Sequence, residues 1–125
     1  MSLNIDRHVL VVDRNAAWGR HVARALEPAG FAVDWAADLE SAMDRLEANQ
    51  HALAIVDADL GLVSGCLAVT ALRWRHPSLR VVLTASEPTP DHADEAHAVG
   101  AFFVPKPLHE RALRALVEAC LAREV

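Results

Sequence analysis

Asp13, Asp57 and Thr84 each close a short apolar run, after VLVV (9–12), ALAIV (52–56) and RVVL (80–83), and Lys106 stands between two prolines just past AFFV (101–104). If those runs are parallel strands, two carboxylates, a hydroxyl and an ammonium converge at one end of a sheet. Carboxylates converging near an oxygen donor suit a hard divalent cation such as Mg2+, which tolerates retained waters. A hydroxyl and a lysine on the other side could hold the oxygens of a phosphoryl group and partly neutralise its charge. An aspartate so placed can itself act as a nucleophile, giving an aspartyl phosphate.

The elements that must position these groups follow from periodicity. The apolar pattern switches repeatedly between strand and helix periods. HVLVV (8–12) is nearly continuous, as expected of a strand buried on both faces. Asn15 then caps a helix through about Glu27, with Trp18, Val22, Ala25 and Leu26 on one stripe, and Pro28-Ala29-Gly30 stops it. A second strand is expected over 31–35, and a helix capped by Asp38 carries Leu39, Ala42, Met43 and Leu46. The third strand, over 52–56, ends at Asp57. A loop leads to Gly65, and Ser64 caps a helix holding Leu67, Ala71 and Trp74 that ends before His76-Pro77. A fourth strand over 80–83 ends at Thr84. An Ala-rich helix over about 89–99 closes at Gly100, a fifth strand covers 101–104, and an amphipathic helix covers 108–123.

Five β–α units with connections unlike hairpins give, through right-handed crossovers, an open parallel sheet with helices on both faces. The fold class is α/β, as one domain over 1–125. Ligands in such sheets sit outside the carboxyl ends of the strands.

Four segments in order, VLVVD (9–13), IVDADLGLVSG (55–65), VVLTAS (81–86) and GAFFVPKP (100–107), resemble the receiver domain of two-component response regulators. The resemblance covers nearly the whole chain. It implies a (βα)5 doubly wound sheet of the flavodoxin/CheY-like type, strand order 2-1-3-4-5. It also implies that Asp57 is the phosphorylated aspartate, and that Asp13, Asp57 and the backbone carbonyl of Asp59 hold Mg2+. Thr84 matches the switch hydroxyl, Ala85 the small residue beside it, Lys106 the lysine that pairs with phosphoryl oxygens, and Phe103 the aromatic switch position. The Lys106–Pro107 bond is expected to be cis. The partners implied are a sensor histidine kinase or phosphotransfer protein and an output domain or protein.

The sequence also departs from that pattern. Receivers usually carry two consecutive acidic residues after the first strand, and here the second is Arg14. A cation there weakens Mg2+ binding by repulsion. Arg14 could instead pair with Asp57 and stand in for the metal, or point to solvent. The second reading of function is accordingly a degenerate receiver, a binding module independent of phosphorylation. Gly61 stands where a proline is common, and the stretch from Gly100 to Pro107 is one residue short of the usual length. A flavodoxin-like cofactor protein would need a Ser/Thr/Gly-rich loop after the first strand, which Asp13-Arg14-Asn15-Ala16-Ala17 is not.

Composition is globular, with 53% hydrophobic and 23% charged residues. The formal net charge of -5 argues against direct nucleic-acid binding by this segment. The two cysteines, Cys66 and Cys120, read as small buried hydrophobes. No apolar run approaches the ~18 residues of a membrane span, and no secretory leader opens the chain, so cytoplasm is expected. Residues 1–6 read as a polar lead-in. Packing accounts for Trp18, Trp35 and Trp74; Phe103 reads equally as core or as switch. The seven histidines are scattered, and His92 and His97, five apart, read as surface.

Overall fold

The computed structural model describes residues 7–122. The lead-in over 1–6 and Arg123, at the end of the last expected helix, lie outside them. Strands β1 His8–Val12, β2 Ala32–Ala36, β3 Leu53–Asp57, β4 Arg80–Ala85 and β5 Phe102–Pro105 form one parallel sheet in the order β2-β1-β3-β4-β5. Helices α1 Ala16–Leu26, α2 Leu39–Ala48, α3 Gly65–Arg75, α4 Pro90–Ala98 and α5 Glu110–Ala122 connect and flank the strands. The expected fold class and strand order are therefore those of the molecule.

The sheet separates two apolar layers, as successive residues of a strand face opposite sides. Leu10, Val12, Ala54, Val56, Val81 and Leu83 point toward α2, α3 and α4. Val9, Val11, Leu53, Ile55 and Val82 point toward α1 and α5, meeting Trp18, Val22, Leu113 and Val117. Burial on both faces explains why β1, β3 and β4 read as apolar runs rather than alternations.

Local signals set most helix starts. Asn15 accepts from the Ala17 N–H, Asp38 from Ser41 and Ser64 from Leu67, which satisfies otherwise orphan donors. The stop after α1 comes as a 3-10 turn, Glu27–Ala29, ending at Gly30 with φ 94°. Boundaries shift by a residue or two elsewhere: β2 begins after Phe31, and α5 begins at Glu110 rather than Leu108.

The stripe expected on α3 is corrected. Leu67 is 59% exposed and Trp74 85% exposed, whereas Gly65, Ala68, Val69 and Leu72 face the sheet. Both sets have helical spacing, so apolar periodicity does not choose between them. Sterics does. A Cβ on Gly65 would lie 2.3 Å from the Asp57 carbonyl oxygen, and only the small-residue face lets α3 come that close to the end of β3. Packing also fails as a full account of Trp35, which is 36% exposed and packs one side of its ring on Gly19. Of the two cysteines, Cys120 is buried as expected and Cys66 only half-buried.

Candidate functional site

Asp13 directly follows β1, and its backbone N–H bonds the Ala36 carbonyl at 3.0 Å. The Trp35 indole Nε1 donates to the Asp13 carbonyl at 2.8 Å. One carboxylate oxygen accepts from the Asn15 backbone N–H at 2.9 Å, and the other from the Lys106 Nζ at 2.7 Å. With 2% of its surface exposed, Asp13 is a carboxylate held from both sides.

Asp57 is the last residue of β3, in register with Thr84 on β4. Its carboxylate lies 3.8 Å from the Lys106 Nζ. Burial pushes the Asp57 carboxyl above the usual carboxylate range, and the neighbouring Asp13 charge pushes the same way. Lys106 and a hydrogen bond from the Asp59 backbone oppose that rise. Lys106 reaches the pocket because its backbone N–H bonds the Ala85 carbonyl, carrying β5 alongside β4. Its ammonium sits 5.1 Å from the centre of the Trp18 ring. The Lys106–Pro107 peptide is cis, as expected.

These groups line a pocket of about 570 Å3, together with Arg14, Asn15, Ala58, Asp59, Ala85, Ser86, Glu87, Thr89 and His92. It opens at the carboxyl ends of the strands. Thr84 is 1% exposed and lies beneath the pocket, its hydroxyl donating to the Val56 carbonyl at 3.4 Å. Arg14 extends over the rim, 3.3 Å from the Asp59 carboxylate, and not to Asp57. Gly61, with φ +87°, lies against the arginine's side chain, and its N–H donates to Asp59 at 3.0 Å. Phe103 lies outside the pocket, half-buried against the core, stacked on the His92 ring at a centroid distance of 5.4 Å.

Asp13, Asp57, Asp59, Arg14 and Lys106 thus meet in one place, while Thr84 and Phe103 sit one layer away. Sequence reasoning missed Trp18, Trp35 and His92. Trp35 stands one residue before Ala36, the carbonyl partner of Asp13, so parallel pairing of β1 and β2 was the available signal. His92 had been read as surface, but it lines the pocket and accepts from the Thr89 N–H at its Nδ1.

The pocket's oxygens form a hard donor set. Two carboxylates face each other closely enough for Asp13 to disfavour ionisation of Asp57, and a divalent cation relieves that repulsion. The residues fit Mg2+, with Lys106 competing for Asp13.

A family model described as the response regulator receiver domain matches residues 9–118. Over 118 residues the chain is 33% identical to the transcriptional regulatory protein PhoP of Escherichia coli O157:H7, covering 92% of this chain and 52% of PhoP. It is 32% identical over 78 residues to the acid tolerance regulatory protein ActR of Sinorhizobium medicae (strain WSM419), covering 62% of this chain and 40% of ActR. The chain spans about half, or less, of the length of these curated relatives. Among solved structures, a response regulator from Thermotoga maritima superposes with a TM-score of 0.86 at 26% identity, covering 93% of this chain and 98% of that one. The receiver domain of NtrX from Brucella abortus superposes with a TM-score of 0.85 at 26% identity, covering 93% and 99%.

Proposed function

The chain belongs to the response regulator receiver family, and from that premise we propose that it is a two-component signalling switch with Asp57 as its phosphoryl acceptor. The observation that carries this reading is the grouping of Asp57, Asp13 and the Lys106 ammonium within 3.8 Å contacts in one open pocket. The donor is a phosphohistidine on a sensor kinase or phosphotransfer protein, met in the cytoplasm. An Asp57 oxygen attacks phosphorus in line. The phosphorus–nitrogen bond breaks, its electron pair returns to the donor imidazole, and an acyl phosphate forms on Asp57.

Each surrounding group has a part. Lys106 moves from Asp13 toward the new phosphoryl oxygens and offsets their charge. The Thr84 hydroxyl turns from the Val56 carbonyl to a phosphoryl oxygen. Asp13, Asp57 and the Asp59 carbonyl would hold Mg2+, which when bound supplies charge neutralisation at the transferring oxygens. Asp57 must be ionised to attack, and burial beside Asp13 makes that carboxylate less stable and hence more reactive. With Thr84 drawn in, Phe103 changes rotamer and moves off His92. The surface of α4, β5 and α5 then repacks for an output partner, as a population shift between two states. The chain's main role is that of a switch rather than of an enzyme.

One observation favours a second reading, a binding module independent of phosphorylation. Arg14 places a cation on the rim of the metal site and engages Asp59, whose backbone the metal would need.

Reaction with acetyl phosphate and Mg2+, then borohydride reduction and peptide mapping, decides between them. Conversion of Asp57 to homoserine supports the switch. Conversion at no aspartate supports the second reading, and conversion at Asp13 or Asp59 in place of Asp57 overturns the choice of acceptor.

A further inference from the structure

We propose a metal site at the other end of the sheet, formed by His8, Asp34 and His51, for a late first-row divalent ion such as Zn2+. His8 opens β1 and Asp34 is the central residue of β2. Strand alternation puts both on the face that carries Leu10 and Ala36. The connection from α2 to β3 brings His51 onto them.

The Nε2 atoms of His8 and His51 lie 3.0 Å and 2.8 Å from the same oxygen, Asp34 Oδ2. The two rings are 4.1 Å apart, and the three ligand atoms all lie within 4.8 Å of one another. Three donors bound tetrahedrally to Zn2+ at about 2.0–2.1 Å stand about 3.3 Å apart, so the cluster needs only small adjustment. Two imidazoles and one carboxylate suit Zn2+, Co2+ or Ni2+ better than Mg2+ or Ca2+, which prefer oxygen donors.

Hydrogen bonding alone accounts for this arrangement poorly. It requires both rings to carry a proton on Nε2 and to aim two N–H groups at one oxygen. The His51 side chain is fully buried, and among the described residues its Nδ1 makes no close hydrogen bond. Its short polar contact, to Asp34, is made at Nε2, inside the cluster. A metal ion accepting both Nε2 lone pairs and the carboxylate satisfies the three groups at once. His8 and Asp34 retain 19% and 22% side-chain exposure, which leaves room for a water as fourth ligand. The ligands come from β1, from the edge strand β2 and from the approach to β3, so the ion would tie three segments and stabilise the fold.

The test uses the intact chain, stripped with a chelator and titrated with Zn2+ against a chromophoric competitor. We expect one ion per chain, a rise in thermal midpoint with added Zn2+, and a loss of affinity of at least about tenfold in His8→Gln and in His51→Gln. His97→Gln, on the exposed face of α4, should bind as the wild type does. Unchanged affinity in His8→Gln and His51→Gln, or no saturable binding up to about 100 µM Zn2+, would overturn the proposal. If either variant fails to fold, Co2+ added to the wild type gives the same answer. A visible tetrahedral spectrum with shifts in two imidazole NMR signals supports the site, and a spectrum of hydrated Co2+ refutes it.

Discussion

The Lys106 ammonium lies 2.7 Å from an Asp13 oxygen and 3.8 Å from an Asp57 oxygen, so it neutralises the first carboxylate more fully than the second. That asymmetry leaves Asp57 as the less compensated anion of the pocket. It also makes Lys106 a shared counter-ion that can move from one aspartate to the other.

Lys106→Met should therefore leave two buried carboxylates facing each other without a cation. We expect a loss of roughly 2–3 kcal/mol at neutral pH, below the fully buried case because the pocket opens to solvent. Urea denaturation measures it, and the loss should shrink with added Mg2+ or on acidification. An unchanged midpoint would mean that Lys106 does not hold Asp13 in solution.

Asp57→Asn should stabilise the protein. The folded carboxyl is raised above its ordinary value of 3.8, so protonation favours the folded state. The stability that Asp57 contributes is complete below that ordinary value and is lost as pH rises through the raised folded value. At neutral pH the variant should gain on the order of 2–5 °C in Tm, with the gain vanishing near pH ~4. Thermal scans across that range test the sign. A gain that grows on acidification would contradict it.

Arg14→Asp should tighten Mg2+ binding by about tenfold, because it exchanges repulsion for attraction beside Asp13 and Asp59. Trp18 and Trp35 contact Lys106 and Asp13, which makes intrinsic fluorescence a direct reporter. Arg14→Ala should alter folding stability by less than about 0.5 kcal/mol, as its pair with Asp59 is largely exposed. Unchanged Mg2+ affinity in Arg14→Asp would show that the arginine's charge does not act on the metal site.

Gly65→Ala should cost about 2–3 kcal/mol or more, since the added Cβ falls 2.3 Å from the Asp57 carbonyl and 2.6 Å from the Ala58 Cα. Trp74→Ala, by contrast, should stay within about 0.5 kcal/mol at 85% exposure. Chemical denaturation of the two variants compares them directly.

The central strands were legible because a doubly buried strand writes itself as an apolar run, and Asp13 and Asp57 stand at the ends of two such runs. Lys106 follows the partly exposed β5 and was marked by its flanking prolines, and the strand order came from the family resemblance. The face of α3 was not legible, since Leu67-Ala71-Trp74 and Ala68-Val69-Leu72 are equally apolar. What separates them is the approach of Gly65 to the β3 backbone, a contact between elements that no local pattern carries. The direction of Arg14 was open for a similar reason. Its partner Asp59 lies forty-five residues away, and the pairing of β1 with β3, which sets Val12 beside Val56, brings the two together. His8, Asp34 and His51 escaped because they have no helical spacing and meet only once β1 and β2 pair.

The most direct measurement is the intact mass of the protein after incubation with acetyl phosphate and Mg2+, run beside Asp57→Asn. The account predicts a gain of about 80 Da, one phosphoryl group, in the wild type and none in the variant. A wild type that gains no mass, or a variant that gains the same mass, would contradict it.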